Sequence, residues 1–199
     1  MTTPDDAARA DLLHYLQAAR DALLWKLGGL PEYDVRRPMT PTGTNLLGLV
    51  KHAAGVELGY LGDTFGRPSG EPLPWLADGA ETNADMWATA EESRASVVEL
   101  YRRAWAHADA TVRALPLDTP GRVPWWPDGE DEVTLHHAVV RVIADTQRHA
   151  GHADILRELM DGTAGTDGTG SGLPSTDPAW WASYRERLER TAREAGRKP

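Results

Sequence analysis

The sequence predicts an all-α fold, a four-helix bundle with long loops and an extra C-terminal helix. Apolar residues recur at three- and four-residue steps through four long segments. No alternating apolar and polar stretch is long enough to form a sheet, and no internal repeat is present. Helices with one apolar stripe each must bury it, and four of comparable length bury it in a bundle.

Each element has its own signals. Thr3 is the expected N-cap of the first helix, with Pro4 at its first position and Asp5 and Asp6 in its first turn. Leu12, Leu13, Leu16, Ala19, Leu23 and Leu27 then follow the helical period until Gly28 and Gly29 stop it. Pro31 to Gly43, with three prolines, reads as a loop. A second helix is expected over about 44–61, ending at Gly62, and the proline-containing stretch 66–85 reads as a long irregular connection. Thr89-Ala-Glu-Glu92 has the form of a capping box and predicts a third helix reaching about Leu115. Residues 116–130 form a loop that carries Trp125 and Trp126, and Thr134 caps a fourth helix running to about Met160. The predicted organisation is a bundle over 1–162, a Gly/Thr/Ser-rich flexible linker over 163–176 and a helix over 177–199. Trp180, Trp181, Tyr184 and Leu188 form the apolar side of that last helix. They require an apolar surface, which the bundle, a second copy in a homodimer, or the mouth of a cavity could supply.

Composition narrows the function. A net charge of −9 excludes a nucleic-acid footprint and an anionic membrane surface as partners. No apolar run is long enough to span a bilayer, and Met1 to Asp6 lacks the basic start and apolar core of a signal peptide. The absence of cysteine removes disulfides, thiolate catalysis and Cys-ligated metals, and makes the cytoplasm the expected compartment. Arg outnumbers Lys 18 to 3, which points to GC-rich coding, as in a bacterial source.

The fourth helix concentrates the chemistry. With Asp145 at zero on a helical wheel, His149 falls near about 40° and His152 near about −20°. Ala138, Val142, Leu156 and Leu159 share that face, so it is expected to turn toward the core. Polar groups there need partners. On the second helix Gly48, Gly55 and Gly59 share the face of His52, each costing roughly 1 kcal/mol against alanine. They signal either a close backbone approach or space kept beside the histidine. His52, Asp145 and His149 would make a two-His, one-carboxylate metal set with open positions. The other reading of the same spacing is a hydrogen-bonded Asp–His pair in the core, with His52 merely near a helix contact.

Further candidates are weaker. His152 is expected to sit beside the metal or face the ligand, not to be a fourth ligand. Glu57 points elsewhere than His52 on the wheel and is expected to be solvated or to pair with a loop. His136 and His137 open the fourth helix and are expected at the surface, while His14 and His107 have no evident partners. Trp125 and Trp126 could wall the entrance to the site or simply pack.

The segments Thr42-Gly-Thr-Asn-Leu-Leu-Gly-Leu-Val-Lys-His52-Ala-Ala-Gly-Val-Glu57 and Asp145-Thr-Gln-Arg-His149-Ala-Gly-His152-Ala-Asp154 resemble the corresponding motifs of DinB-like proteins of the DUF664 branch. The resemblance covers about residues 5–162. It implies a divalent metal held by His52, Asp145 and His149, with zinc expected first and nickel, iron or manganese as alternatives. The branch is related to the mycothiol-dependent maleylpyruvate isomerases, whose carboxylate ligand is commonly Glu. Asp145 is one methylene shorter. The resemblance further implies a small-molecule thiol such as mycothiol as cofactor, and thiol transfer or isomerisation in detoxification. The rival is a non-catalytic, small-ligand-binding or stress-associated bundle with a structural metal. A structural zinc normally has four protein ligands, and three are visible here.

Overall fold

The computed structural model describes residues 4–170 and 172–197, in two compact units spanning 1–163 and 164–199. The expected cap Thr3 lies outside the described residues. The first unit is an all-α bundle. Its long helices are α1 (Pro4–Leu24), α3 (Leu46–Leu61), α4 (Arg94–Ala114) and α5 (Leu135–Asp161), with a short α2 (Glu32–Arg36) between the first two. A two-stranded antiparallel ribbon, β1 (Pro120–Arg122) and β2 (Glu132–Thr134), pairs Pro120 with Thr134 just before α5. Three-residue strands are too short to leave an alternating pattern in the sequence.

Local chemistry explains where the elements begin. Asn45 caps α3 by accepting the Gly48 N–H at 2.8 Å, one position later than the expected start. Thr134 caps α5 as its position predicts, accepting the His137 N–H. The capping box at Thr89 forms only in part and does not open α4. The Glu92 carboxylate accepts the Thr89 N–H at 2.7 Å, but it is also held by Lys51 Nζ at 2.9 Å, which binds this turn to α3. The helix starts at Arg94 under a new cap, Ser93, which accepts the Ser96 N–H. The loop expected over 31–43 contains α2, whose Arg36 donates to the carbonyls of Ala88, Thr89 and Glu92.

Helix α3 is the centre of the bundle, packed against α4 and α5, and 14 of its 16 residues are buried. A helix apolar all round is a core helix. One core cluster gathers around Leu23, Leu47, Val50, Ala54, Tyr101 and Leu156. The other gathers around Leu16, Leu61, Val112, Leu135 and Val142. The α3 glycines admit a close approach, and what approaches is connecting chain. A Cβ on Gly48 would lie 1.8 Å from the Met86 carbonyl oxygen, the same oxygen that accepts from Asn45 Nδ2 at 3.0 Å. Because the obstacle is backbone, Gly48→Ala should destabilise the protein by about 1–3 kcal/mol as the 84–87 turn is pushed away. Thermal unfolding checks this, and an unchanged Tm would show that the turn is free to move.

The second unit carries α6 (Pro178–Ala195), capped by Asp177 accepting the Ala179 N–H. None of the α6 residues is buried. Trp180 stacks on Tyr184 with ring centroids 5.2 Å apart, and Trp181 Nε1 donates to the Ser175 carbonyl. No helix among the described residues is long and apolar enough to cross a membrane.

Candidate metal centre

Two rigid helices bring the predicted residues together. His52 projects from α3, and Asp145 and His149 project from consecutive turns of α5. His52 Nε2 lies 3.6 Å and His149 Nε2 3.5 Å from Asp145 Oδ2. One ligand atom from each residue falls within 4.8 Å of the other two. The two imidazoles meet edge to face, with centroids 4.8 Å apart.

The electrostatics follow from this placement. Burial pulls the His52 pKa down, but the nearby carboxylates of Asp145 and Asp85 outweigh it, and the net shift is upward. Burial favours the neutral form of Asp145 as well, yet the two histidines hold its carboxyl below the usual range. His149 is shifted down, by burial first and then by His52, His152 and Arg148, against the pull of Asp145. The cluster therefore offers a carboxylate and a neutral imidazole, protonation states in which both bind metals. Asp145 Oδ2 is buried without a hydrogen-bond partner among the described residues, as is His149 Nδ1. Asp85 Oδ2 sits 2.7 Å from His52 Nδ1. With the proton on Nδ1 and donated to Asp85, the Nε2 lone pair of His52 faces the orphaned Asp145 oxygen. Ligand atoms gathered this closely, with an orphaned carboxylate oxygen among them, suit a cation.

The site opens onto a cavity of about 740 Å³ that His52, Asp85 and Asp145 help to line. Val56, Leu73 and Leu76 supply apolar wall, and Trp125 covers one side. Gly59 makes room for that ring, since a Cβ there would approach Trp125 Cη2 to 2.7 Å. Trp126 does not line the cavity. It packs behind, donating its Nε1–H to the Tyr60 hydroxyl at 3.1 Å.

Several expectations need correction. The donor face of α5 turns to the core only in part: Ala138, Val142 and Leu156 are buried, but Asp145 and His149 are half-buried, His152 is exposed, and Leu159 is 70% exposed. His152 touches the His149 ring edge to face at 5.6 Å and is not among the converging ligand atoms. Glu57 is fully buried, not solvated: its carboxylate takes Arg20 Nε at 2.9 Å and Nη2 at 2.5 Å. His107 has a partner, the Arg67 carbonyl at 2.7 Å, and His14 packs against Tyr15. His136 and His137 are exposed, as expected.

Two site residues escaped the sequence reading. Asp85 lies 33 residues from His52 in a proline-containing connection, where no periodicity relates the two. Arg141 was within reach, because one turn before Asp145 it falls on the same wheel face.

A family model described as Mycothiol-S-transferase matches residues 11–162. A search of curated proteins found no match.

Proposed function

We propose, from the premise that the chain belongs to the mycothiol S-transferase family over residues 11–162, that it holds a divalent cation at His52, Asp145 and His149 and joins a low-molecular-weight thiol, mycothiol or a close analogue, to a small electrophile. The observation that carries this reading is the convergence of three ligand atoms within 4.8 Å of one another at the wall of a large cavity. Two imidazoles and a carboxylate suit zinc first, with nickel, iron or manganese as alternatives.

The chain contains no cysteine, so the sulfur must come from a cofactor. A divalent cation lowers the pKa of a thiol bound to it and keeps it as a thiolate near neutral pH. The sulfur forms a bond to the electrophilic carbon, the leaving group departs with its bonding pair, and the thiol proton is released: R–SH and R′–X give R–S–R′ and H–X. The protein's own residues prepare this. Asp85 fixes the His52 ring through Nδ1, so that Nε2 stays aimed at the site. Val56, Leu73 and Leu76 offer the acceptor an apolar wall.

Elemental analysis of the purified full chain, followed by thiol consumption with mycothiol and an alkyl halide, tests the reading. Stoichiometric metal with transfer abolished by chelation is the expected result. Metal without transfer above the uncatalysed rate removes the transferase assignment, and protein without metal removes the centre itself. The structural-clip alternative needs a fourth protein ligand, and His152 is exposed. His152→Ala should accordingly retain full metal occupancy and change transfer kcat/KM by less than about tenfold. Loss of the metal in that variant would make His152 a ligand and favour the clip.

A further inference from the structure

Arg141 is the only Lys or Arg among the described residues that line the cavity. Its guanidinium carbon lies 5.0 Å from the centroid of Tyr60 and 4.8 Å from that of Trp126. The hydrogen bond from Trp126 Nε1 to the Tyr60 hydroxyl ties these two rings together. No carboxylate forms an ion pair with Arg141 among the described residues. Of the other acids that line the cavity, Glu71 is engaged by Arg103 at 2.6 Å and Asp85 by His52, while Asp63 makes no ion pair with Arg141. Arg141 acts on Asp145 only through its field, helping to hold that carboxyl low.

Aromatic faces support a guanidinium by its π surface and leave its in-plane N–H groups to donate. A permanently charged planar fork, held by two rings and in no ion-pair contact, matches a planar oxyanion bidentately. Arg141 stands one helical turn from Asp145, about 6 Å along the α5 axis. An anion held there places the rest of a small molecule over the donor atoms and along the apolar wall. From this arrangement we infer that the acceptor substrate carries a carboxylate and that Arg141 selects it, the reactive carbon lying a few bonds from the carboxylate. The inference rests on the transferase reading, since it assigns the Arg141 subsite to the acceptor and not to the thiol.

Phenylacetate and its neutral isostere phenylacetamide serve as unreactive probes, read by quenching of tryptophan fluorescence in the purified full chain, before and after chelation. Phenylacetate is expected to bind more tightly than phenylacetamide in both preparations. Arg141→Gln is expected to weaken phenylacetate roughly tenfold to a hundredfold, the range for charge-assisted hydrogen bonds, and to leave phenylacetamide unchanged. Arg141→Lys should recover part of the preference, because the charge remains and the fork is lost. Saturating mycothiol should leave the preference in place. A preference that survives Arg141→Gln but vanishes on chelation would mean that the carboxylate binds the metal, and it overturns the inference. So does displacement of phenylacetate by mycothiol, which would give the subsite to the thiol, and so does equal binding of the two probes. A failed transfer assay alongside an intact Arg141-dependent preference would instead remove the transferase reading and leave a carboxylate-binding site.

Discussion

Asp145→Ala should strip the metal and lower thiol transfer by more than about a hundredfold, the upper end of what loss of an outer partner alone produces. Asp145 Oδ2 is the atom that both histidines face, at 3.5 and 3.6 Å, and no other carboxylate joins the converging set among the described residues. His52→Ala and His149→Ala should behave alike, since removing either imidazole leaves only two protein ligands. The bundle should survive all three changes. Its packing rests on the two buried leucine- and valine-rich clusters, whereas the donors are only half-buried at the margin. Metal content by mass spectrometry and far-UV circular dichroism separate the effects. Full occupancy in any one variant excludes that residue from the ligand set, and loss of helicity in all three would make the metal structural.

The largest stability change is expected away from the site. Arg20 on α1 reaches Glu57 on α3 through two contacts and Asp109 on α4 through Nη1 at 2.8 Å, and its guanidinium lies 5.6 Å from the Trp105 ring. Arg20 and Glu57 are both 0% exposed. Glu57→Ala leaves a buried guanidinium with Asp109 as its remaining carboxylate partner, and should destabilise the protein by about 3–5 kcal/mol. The double variant Arg20→Met/Glu57→Leu should recover most of that loss, because a buried pair can be exchanged for apolar residues of similar volume at little net cost. Asp109 keeps Arg113 as a partner in that variant, at 2.8 Å. Urea unfolding of the single and double variants decides it. If the double variant is as unstable as the single, packing of these side chains and not their charge is what matters.

The donors on α5 were legible because helix geometry is rigid: residues four apart share a face whatever surrounds them. The wheel face of His52 with its three glycines suggested the match to them, and the family resemblance was needed to choose it over a simple Asp–His pair, since nothing in the spacing says which helices pair. Glu57 was misread for a related reason. Its wheel angle points away from His52, but 14 of the 16 residues of α3 are buried, so pointing away from His52 still means pointing into protein. The glycines of α3 correctly signalled close approach, and what approaches is irregular chain. The positions of Met86, Leu76 and Trp125 depend on connections whose paths carry no periodic signature. Asp85 belongs to the same class. Arg141 differs, since its place one turn before Asp145 is visible on the wheel.

The seating of the 66–87 connection on the small-residue face of α3 separates two jobs that many sites merge. The groups that would hold a cation sit on helices, where the backbone fixes them. Much of the cavity wall, Pro68 through Ala77, sits on a connection joined to the donor cluster through Asp85. Such a layout is modular. Inserting, deleting or recolouring residues in that connection can reshape the cavity while the helix-borne cluster of His52, Asp145 and His149 is inherited unchanged, so variation can act on one segment without rebuilding the bundle.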